Sequence, residues 1–162
     1  MKAPLPSLWS ANLQGANLMG ANLQGANLGW AELQRAHLRK ANLQGVNLAF
    51  ANLQNANLWF ANLQGANLSY ANLQDANLWF ANLQGARLFH TNLEGVNLCS
   101  ANLQGACLTG ANLQDTDMRY ADLTGAEDLT WKQLKGAKID DKTKLPDYLK
   151  REDREKEEEE SE

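Results

Sequence analysis

From Pro6 to Gly125 the chain repeats a five-residue pattern, with one large apolar residue at the centre of each block and one small residue two places earlier. Of the 24 blocks, 23 have Leu at the centre, and Met118 stands in the remaining one. The small position is Ala in 19 blocks and otherwise Val46, Val96, Thr91, Thr116 or Pro6. Between the two lies Asn in 17 blocks. A period of five is neither helical nor that of a plain strand. Ala and Leu two apart share one side of an extended segment, while Asn faces the other way. The remaining two residues must restore the phase, so the chain turns there. Gly, Asn and Asp are frequent at the fifth position, as a tight turn requires. The pattern predicts an all-β solenoid with Ala and Leu inside and Asn, Gln and the turn residues outside.

A second period sets the shape. Every twentieth residue from Gly25 is glycine: Gly25, Gly45, Gly65, Gly85, Gly105 and Gly125. The series ten residues out of phase is mixed, with Gly15, Arg35, Asn55, Asp75, Gly95 and Asp115. Trp59-Phe60 and Trp79-Phe80 also recur twenty apart. Four blocks per coil, a quadrilateral section, is the simplest solution, and it makes about six coils. At about 4.8 Å per stacked strand the column is about 29 Å tall. No block buries its Leu alone, so the coils must stack as in any solenoid.

The A-(N/D)-L-x-x array, exemplified by Ala61-Asn62-Leu63-Gln64-Gly65, resembles the pentapeptide-repeat family over about three-quarters of the chain. The resemblance implies a right-handed quadrilateral β-helix. It also implies type II turns on the all-glycine side, where Gly permits positive φ. Long A-N-L arrays are similar to those common in cyanobacteria.

Stacked coils leave ends that need covers. The fives break after Gly125, and residues 126–149 read as a C-terminal cap. Thr130 and Gln133 have capping-box spacing and Gly136 is a helix stop, so a short helix is expected near 131–135. Its Trp131 and Leu134 would cover the last Leu layer. The LTWKQLKGAKID segment also resembles C-terminal endings in the family. At the other end, residues 1–5 form a lead-in, and Leu5, Pro6 and Trp9 are expected to cover the first coil. Residues 150–162 form a charged tail, solvated or helical, with Asp147/Arg151 and Glu152/Lys156 at helical spacing.

Charge narrows the function classes. The formal net charge of -4 is modest for 162 residues. From Ala11 to Gly125 there are five basic and six acidic residues, whereas Lys150 to Glu162 holds eight acidic and four basic ones. The near-neutral body lacks the clustered Lys and Arg of a phosphate-binding footprint, so no nucleic acid is expected. No apolar run approaches the length that spans a bilayer, and the first ten residues carry no signal-peptide core, so a cytoplasmic protein with no membrane partner is expected.

No catalytic constellation, cofactor loop or metal cluster is legible, and an enzyme is not expected. His37 and His90 fall on different coils, with His90 continuing an aromatic line. Cys99 and Cys107 fall on opposite sides of the square, as unpaired surface thiols. The outer Gln series Gln24, Gln44, Gln64, Gln84 and Gln104 reads as a self-satisfied ladder. The departures from the rule are aromatic. Trp59, Phe60, Trp79 and Phe80 are expected to form a two-by-two patch, and Trp30, Phe50 and Tyr70 a secondary line ending on His90. Inter-coil stacking explains both in structural terms. An exposed apolar patch of four rings also suits a contact with another protein or a second copy of the chain. The leading expectation is therefore a non-enzymatic structural or protein–protein interaction module. The alternative, implied by the resemblance, is a DNA-mimic inhibitor of a topoisomerase such as DNA gyrase. It would need a strongly acidic rod, and here Asn and Gln stand where Asp and Glu would be.

Overall fold

The computed structural model describes residues 7–149. The lead-in at 1–5 and the tail at 150–162 lie outside the described residues, as do Leu5 and Pro6. Backbone pairing follows one rule. Each Asn-position residue bridges in parallel to the residue twenty further on, from Asn12↔Glu32 to Cys107↔Glu127. One lap of the chain is thus twenty residues, or four blocks. Within each bridge the hydrogen bonds alternate in direction. Leu63 N–H donates to the Asn82 carbonyl at 2.7 Å, and Asn82 N–H donates back to the Ala61 carbonyl at 3.0 Å.

The interior is a column of Leu and Ala. Leu28 through Leu83 at every fifth position are fully buried, and the Ala or Val two places earlier are equally so. Thr91 and Thr116 occupy small inner positions without leaving a hydroxyl orphaned. Thr91 Oγ1 donates to the Leu68 carbonyl at 2.8 Å, and Thr116 Oγ1 to the Leu93 carbonyl at 2.7 Å. A buried hydroxyl without such a partner would cost about 1–3 kcal/mol.

The corners depart from expectation. Positive φ is not confined to the all-glycine side: the fifth residue turns left-handed on every side. Gly65 has φ +64, but Trp30 has +60, Asn55 +57, Phe60 +57 and Tyr70 +59. The cause is the phase problem of a five-residue block. Each corner closes with a hydrogen bond from the next block's first N–H to the central Leu carbonyl, such as Ala66 N–H to Leu63 O at 2.9 Å. Closing that four-residue turn with positive φ at its third residue is the type II solution whatever the side chain. Asn has a matching role. Its Oδ1 accepts the N–H two residues on, as Asn62 does from Gln64 at 3.2 Å, and so holds the start of the corner.

The outer ladders run along the column. Gln24, Gln44 and Gln64 each donate through Nε2 to the Oε1 of the next, and Gln64 continues the chain to Gln84, all at 3.2 Å. Asn42 donates to Asn22, and Asn82 to Asn62.

Beyond Gly125 a single helix is present among the described residues, α1 at Trp131–Leu134. Its capping box is formed: Gln133 N–H donates to Thr130 Oγ1, and Thr130 N–H donates to Gln133 Oε1. Gln133 Nε2 also donates to the Leu108 and Ala111 carbonyls, which pins α1 to the column. Trp131 and Leu134 are buried. The next segment pairs with the last lap: Asp115, Met118 and Leu123 donate to the carbonyls of Gly136, Lys138 and Lys144. Tyr148 Oη donates to the Ala126 carbonyl. The opposite end differs. Trp9 does not cover the first lap; it sits on the outside, 58% exposed, with its ring edge over Gly29. A fourth-position side chain points away from the column, so it has no route to the end of the core.

Candidate interaction surface

The twenty-residue lap brings fourth and fifth positions into vertical columns. On one side these are Met19, Arg39, Trp59, Trp79, Cys99 and Arg119, beside Gly20, Lys40, Phe60, Phe80, Ser100 and Tyr120. Trp59, Phe60, Trp79 and Phe80 are brought together as a quadrilateral of rings. Centroids are 5.2 Å apart for Trp59–Phe60, 5.2 Å for Trp59–Trp79, 5.1 Å for Phe60–Phe80 and 5.0 Å for Trp79–Phe80. The vertical pairs stack, with planes 11° and 3° apart, and the horizontal pairs tilt. Phe60, Phe80 and Trp79 remain 44%, 43% and 37% exposed. Stacking between laps therefore leaves their outer surfaces to solvent.

Two residues that sequence reasoning left out flank the rings. The Arg39 guanidinium lies 3.9 Å from the centroid of the Trp59 ring, a cation–π contact. Lys40 sits in the column of Phe60. Neither cation forms a salt bridge to a carboxylate among the described residues. The signal was present in the sequence, because 39 and 40 are each twenty residues before 59 and 60.

The secondary line is also assembled. Trp30 stacks on Phe50 at 4.6 Å, Phe50 on Tyr70 at 4.9 Å and Tyr70 on His90 at 5.5 Å. Phe89 meets the His90 ring edge-on. The His90 ring then lies across Gly110 of the next lap. This line is on the opposite side of the lap, ten residues out of phase, so the two aromatic sets do not join. His37 is exposed, far along the chain from His90. Cys99 and Cys107 are free thiols, and Cys107 Sγ lies 3.1 Å from Thr109 Oγ1.

The perturbed carboxylates gather near the C-terminal end. The hydrogen bond from Arg119 lowers the Asp117 carboxyl, against the opposing effect of burial. Burial pushes the Asp122 carboxyl up, but hydrogen bonds from Thr124, Gln104 and Lys144 outweigh it and hold it well below the usual range. Asp122 ties neighbouring laps together through Gln104 and Lys144, whereas the Asp117–Arg119 pair lies within one block. Among the described residues no cluster of His, Cys, Asp and Glu is arranged to hold a metal ion, and no helix is long and apolar enough to cross a membrane.

With repeat, lap and corner in place, the class is defined. Pentapeptide repeats, in eight copies, match residues 7–39, 41–79, 71–115, 100–127 and 106–139, and the chain belongs to the pentapeptide-repeat family, whose members have a β-helix type of fold. Among solved structures it is similar to Rfr23 from the cyanobacterium Cyanothece 51142, a pentapeptide repeat protein. The two are 35% identical over 83% of this chain and 90% of that one, with a TM-score of 0.51. HetL from Nostoc sp. strain PCC 7120, a pentapeptide repeat protein involved in heterocyst differentiation regulation, is 37% identical over 85% of this chain and 67% of that one, with a TM-score of 0.43. Full-length QnrB1, a plasmid-mediated fluoroquinolone resistance protein, shares the fold at 19% identity, over 85% of this chain and 80% of that one, with a TM-score of 0.50. No curated protein matches the chain.

Proposed function

We propose that this chain is a non-enzymatic interaction module: a right-handed quadrilateral β-helix of about six coils, closed by α1, that presents Trp59, Phe60, Trp79 and Phe80 to a protein partner. The observation that carries the reading is the four-ring quadrilateral, with Phe60, Trp79 and Phe80 exposed, flanked by Arg39 and Lys40. Neither the core nor the corners need aromatic residues there, since Gly, Ser and Lys fill the same columns elsewhere. Aromatic residues and Arg are the types that concentrate binding energy at protein interfaces. The flanking cations favour a partner whose apolar surface has an acidic rim.

A topoisomerase-inhibitor reading is not favoured. Its electrostatic basis would be a line of outward carboxylates, and the ladders here are Asn and Gln. Likeness to QnrB1 at this identity speaks for the fold alone.

The test is a paired one. Trp59→Ser with Trp79→Ser should abolish capture of a partner from native extract while the parent far-ultraviolet spectrum is retained, the thermal midpoint falling only by the lost ring contacts. Charge reversal at Lys40→Glu should weaken capture and flatten or invert its salt dependence. Unchanged capture in the double variant would sink the proposal.

A further inference from the structure

Over the whole body positive and negative charges nearly cancel, but they are unevenly spread. Of the five basic residues between Ala11 and Gly125, three stand within six consecutive residues: Arg35, Arg39 and Lys40, with His37 among them. They cross one side of the second lap, the side that carries the aromatic quadrilateral one lap further on. Arg35 and Lys40 occupy its two corners, both at φ +58, with His37 and Arg39 between them. The positions twenty before and twenty after hold Gly, Asn, Met, Trp and Phe, and no carboxylate. None of the four residues is ion-paired among the described residues. Like charges set together without a counter-charge are destabilising, so the column itself gains nothing from them.

The same block breaks the rule that holds its neighbours' corners. In this column Asn17, Asn57, Asn77 and Asn97 each accept, through Oδ1, the N–H two residues on. His37 makes no such bond, and Arg39 N–H has no acceptor among the described residues. His37 is exposed where Asn57, Asn77 and Asn97 are half-buried, so its own side chain does not fill the seat of the capping oxygen. Glu32, Arg87 and Cys107 also omit the Asn cap, but only here do three cations flank the open N–H. Arg39 is in addition pre-positioned. Stacking on Trp59 fixes its guanidinium, whose donors, the buried Nε included, bond to no other described residue.

We propose that this strip is an oxyanion site, and that it takes a phosphoryl group carried by the protein that covers the rings. The proposal rests on the interaction-module reading and names the partner's chemistry. One phosphoryl oxygen stands where Asn Oδ1 stands in the neighbouring laps and accepts Arg39 N–H. The Arg39 guanidinium meets the same group. The side is about 10 Å across, so Arg35 and Lys40 reach it from opposite corners. A dianion with three acceptor oxygens matches two guanidinium groups, an ammonium and an open N–H, whereas a carboxylate brings one charge and two oxygens. Nucleic acid is the poorer source. Its phosphates follow one another along a strand, and the laps before and after continue the strip with no Lys or Arg.

The first probe is inorganic phosphate, titrated into the full chain labelled at arginine nitrogens and followed by NMR. At about pH 8 phosphate is a dianion and an ordinary imidazole is largely uncharged. Arg39 N–H should shift saturably, while Arg87 N–H, bonded to the Ala66 carbonyl, and Arg119 N–H, bonded to Asp117, should not. His37→Asn restores the cap of the consensus block and should abolish the Arg39 response with every Lys and Arg still present. Arg35→Ala with Lys40→Ala should weaken phosphate binding at least about tenfold. No response at Arg39, an equal response at Arg87 and Arg119, or one that persists in His37→Asn overturns the site. The source is read from capture: phosphatase treatment of the native extract should abolish it. Capture that survives phosphatase overturns the phosphoryl assignment, and so does retention of single-stranded DNA at physiological salt. The two readings fail separately. A silent Arg39 with capture still dependent on Trp59 and Trp79 sinks the oxyanion site alone. Capture indifferent to the tryptophan pair sinks the interaction reading, and the partner assignment with it, even where Arg39 responds.

Discussion

Phe60 and Phe80 stack face to face, ring centroids 5.1 Å apart and planes 3° apart, while both hold a left-handed backbone with φ of +57 and +55. The two facts have opposite signs in stability. A left-handed conformation costs a non-glycine residue about 1–2 kcal/mol. An aromatic pair returns about 0.5–1.5 kcal/mol. Phe60→Ala keeps the backbone cost and loses the stack. Phe60→Gly loses the stack but sheds the backbone cost, against about 0.4–1 kcal/mol of added unfolded-state entropy. Glycine should therefore be the more stable of the two by about 0.5–1 kcal/mol, read from urea midpoints. Alanine above glycine would mean that the corner does not hold Phe60 under strain.

Along the column the contrast is between neighbours. Leu63 is fully buried, and Gln64 lies on the outer ladder between Gln44 and Gln84. Leu63→Lys loses about 1.5–3 kcal/mol of apolar burial and places a charge in the core, so it should abolish the folded far-ultraviolet signature. Gln64→Lys breaks two ladder hydrogen bonds on the outer face, one part-buried and one exposed, and should cost about 1 kcal/mol or less. Equal melting temperatures would refute the inside–outside assignment.

How far the sequence reveals the fold depends on what repeats. Leu and Ala at fixed phase give the inside, and Gly25 to Gly125 give the twenty-residue lap. The helix is legible because Thr130 and Gln133 satisfy each other locally. The corners at Trp30, Phe60 and Tyr70 were not legible as left-handed, because a side-chain preference predicts glycine there, while closure of the five-residue block imposes the conformation on any residue. The aromatic quadrilateral could be placed by counting twenties. The same count reaches Arg39 and Lys40, but a search by residue type stops at the rings. Trp9 stays outside because its block position, fourth and outward, overrides its apolar character.

Acid should loosen one end before the middle. The Asp117 and Asp122 carboxyls are held below their ordinary value in the fold. A depressed folded value means stabilisation that is complete above the unfolded value, near about 4, and is lost as pH falls below it. The column Asn22, Asn42, Asn62, Asn82 and Asn102 has no titrating group until Asp122. Between neutral pH and about pH 3, amide protection relative to the intrinsic exchange rate should fall first at Asp122, Leu123 and Lys144, and Asp122→Asn should flatten that dependence. Protection that falls evenly along the column would contradict it.

Gly65 and Gly110 form a matched pair for testing the secondary aromatic line. Both have φ +64, so alanine at either incurs the same left-handed cost of about 1–2 kcal/mol. Around Gly65 an added Cβ meets open space, whereas at Gly110 it lies 2.5 Å from Cε1 and Nδ1 of His90. The ring must move, and it is the last member of the stack that runs back through Tyr70 and Phe50 to Trp30. Gly110→Ala should therefore be the more destabilising substitution. Because the excess arises from one contact, the cycle with His90→Ala isolates it. In the His90→Ala background the two glycine substitutions should cost the same. If Gly110→Ala retains its excess there, the added methyl is meeting the backbone and His90 is not the reason that the position is glycine.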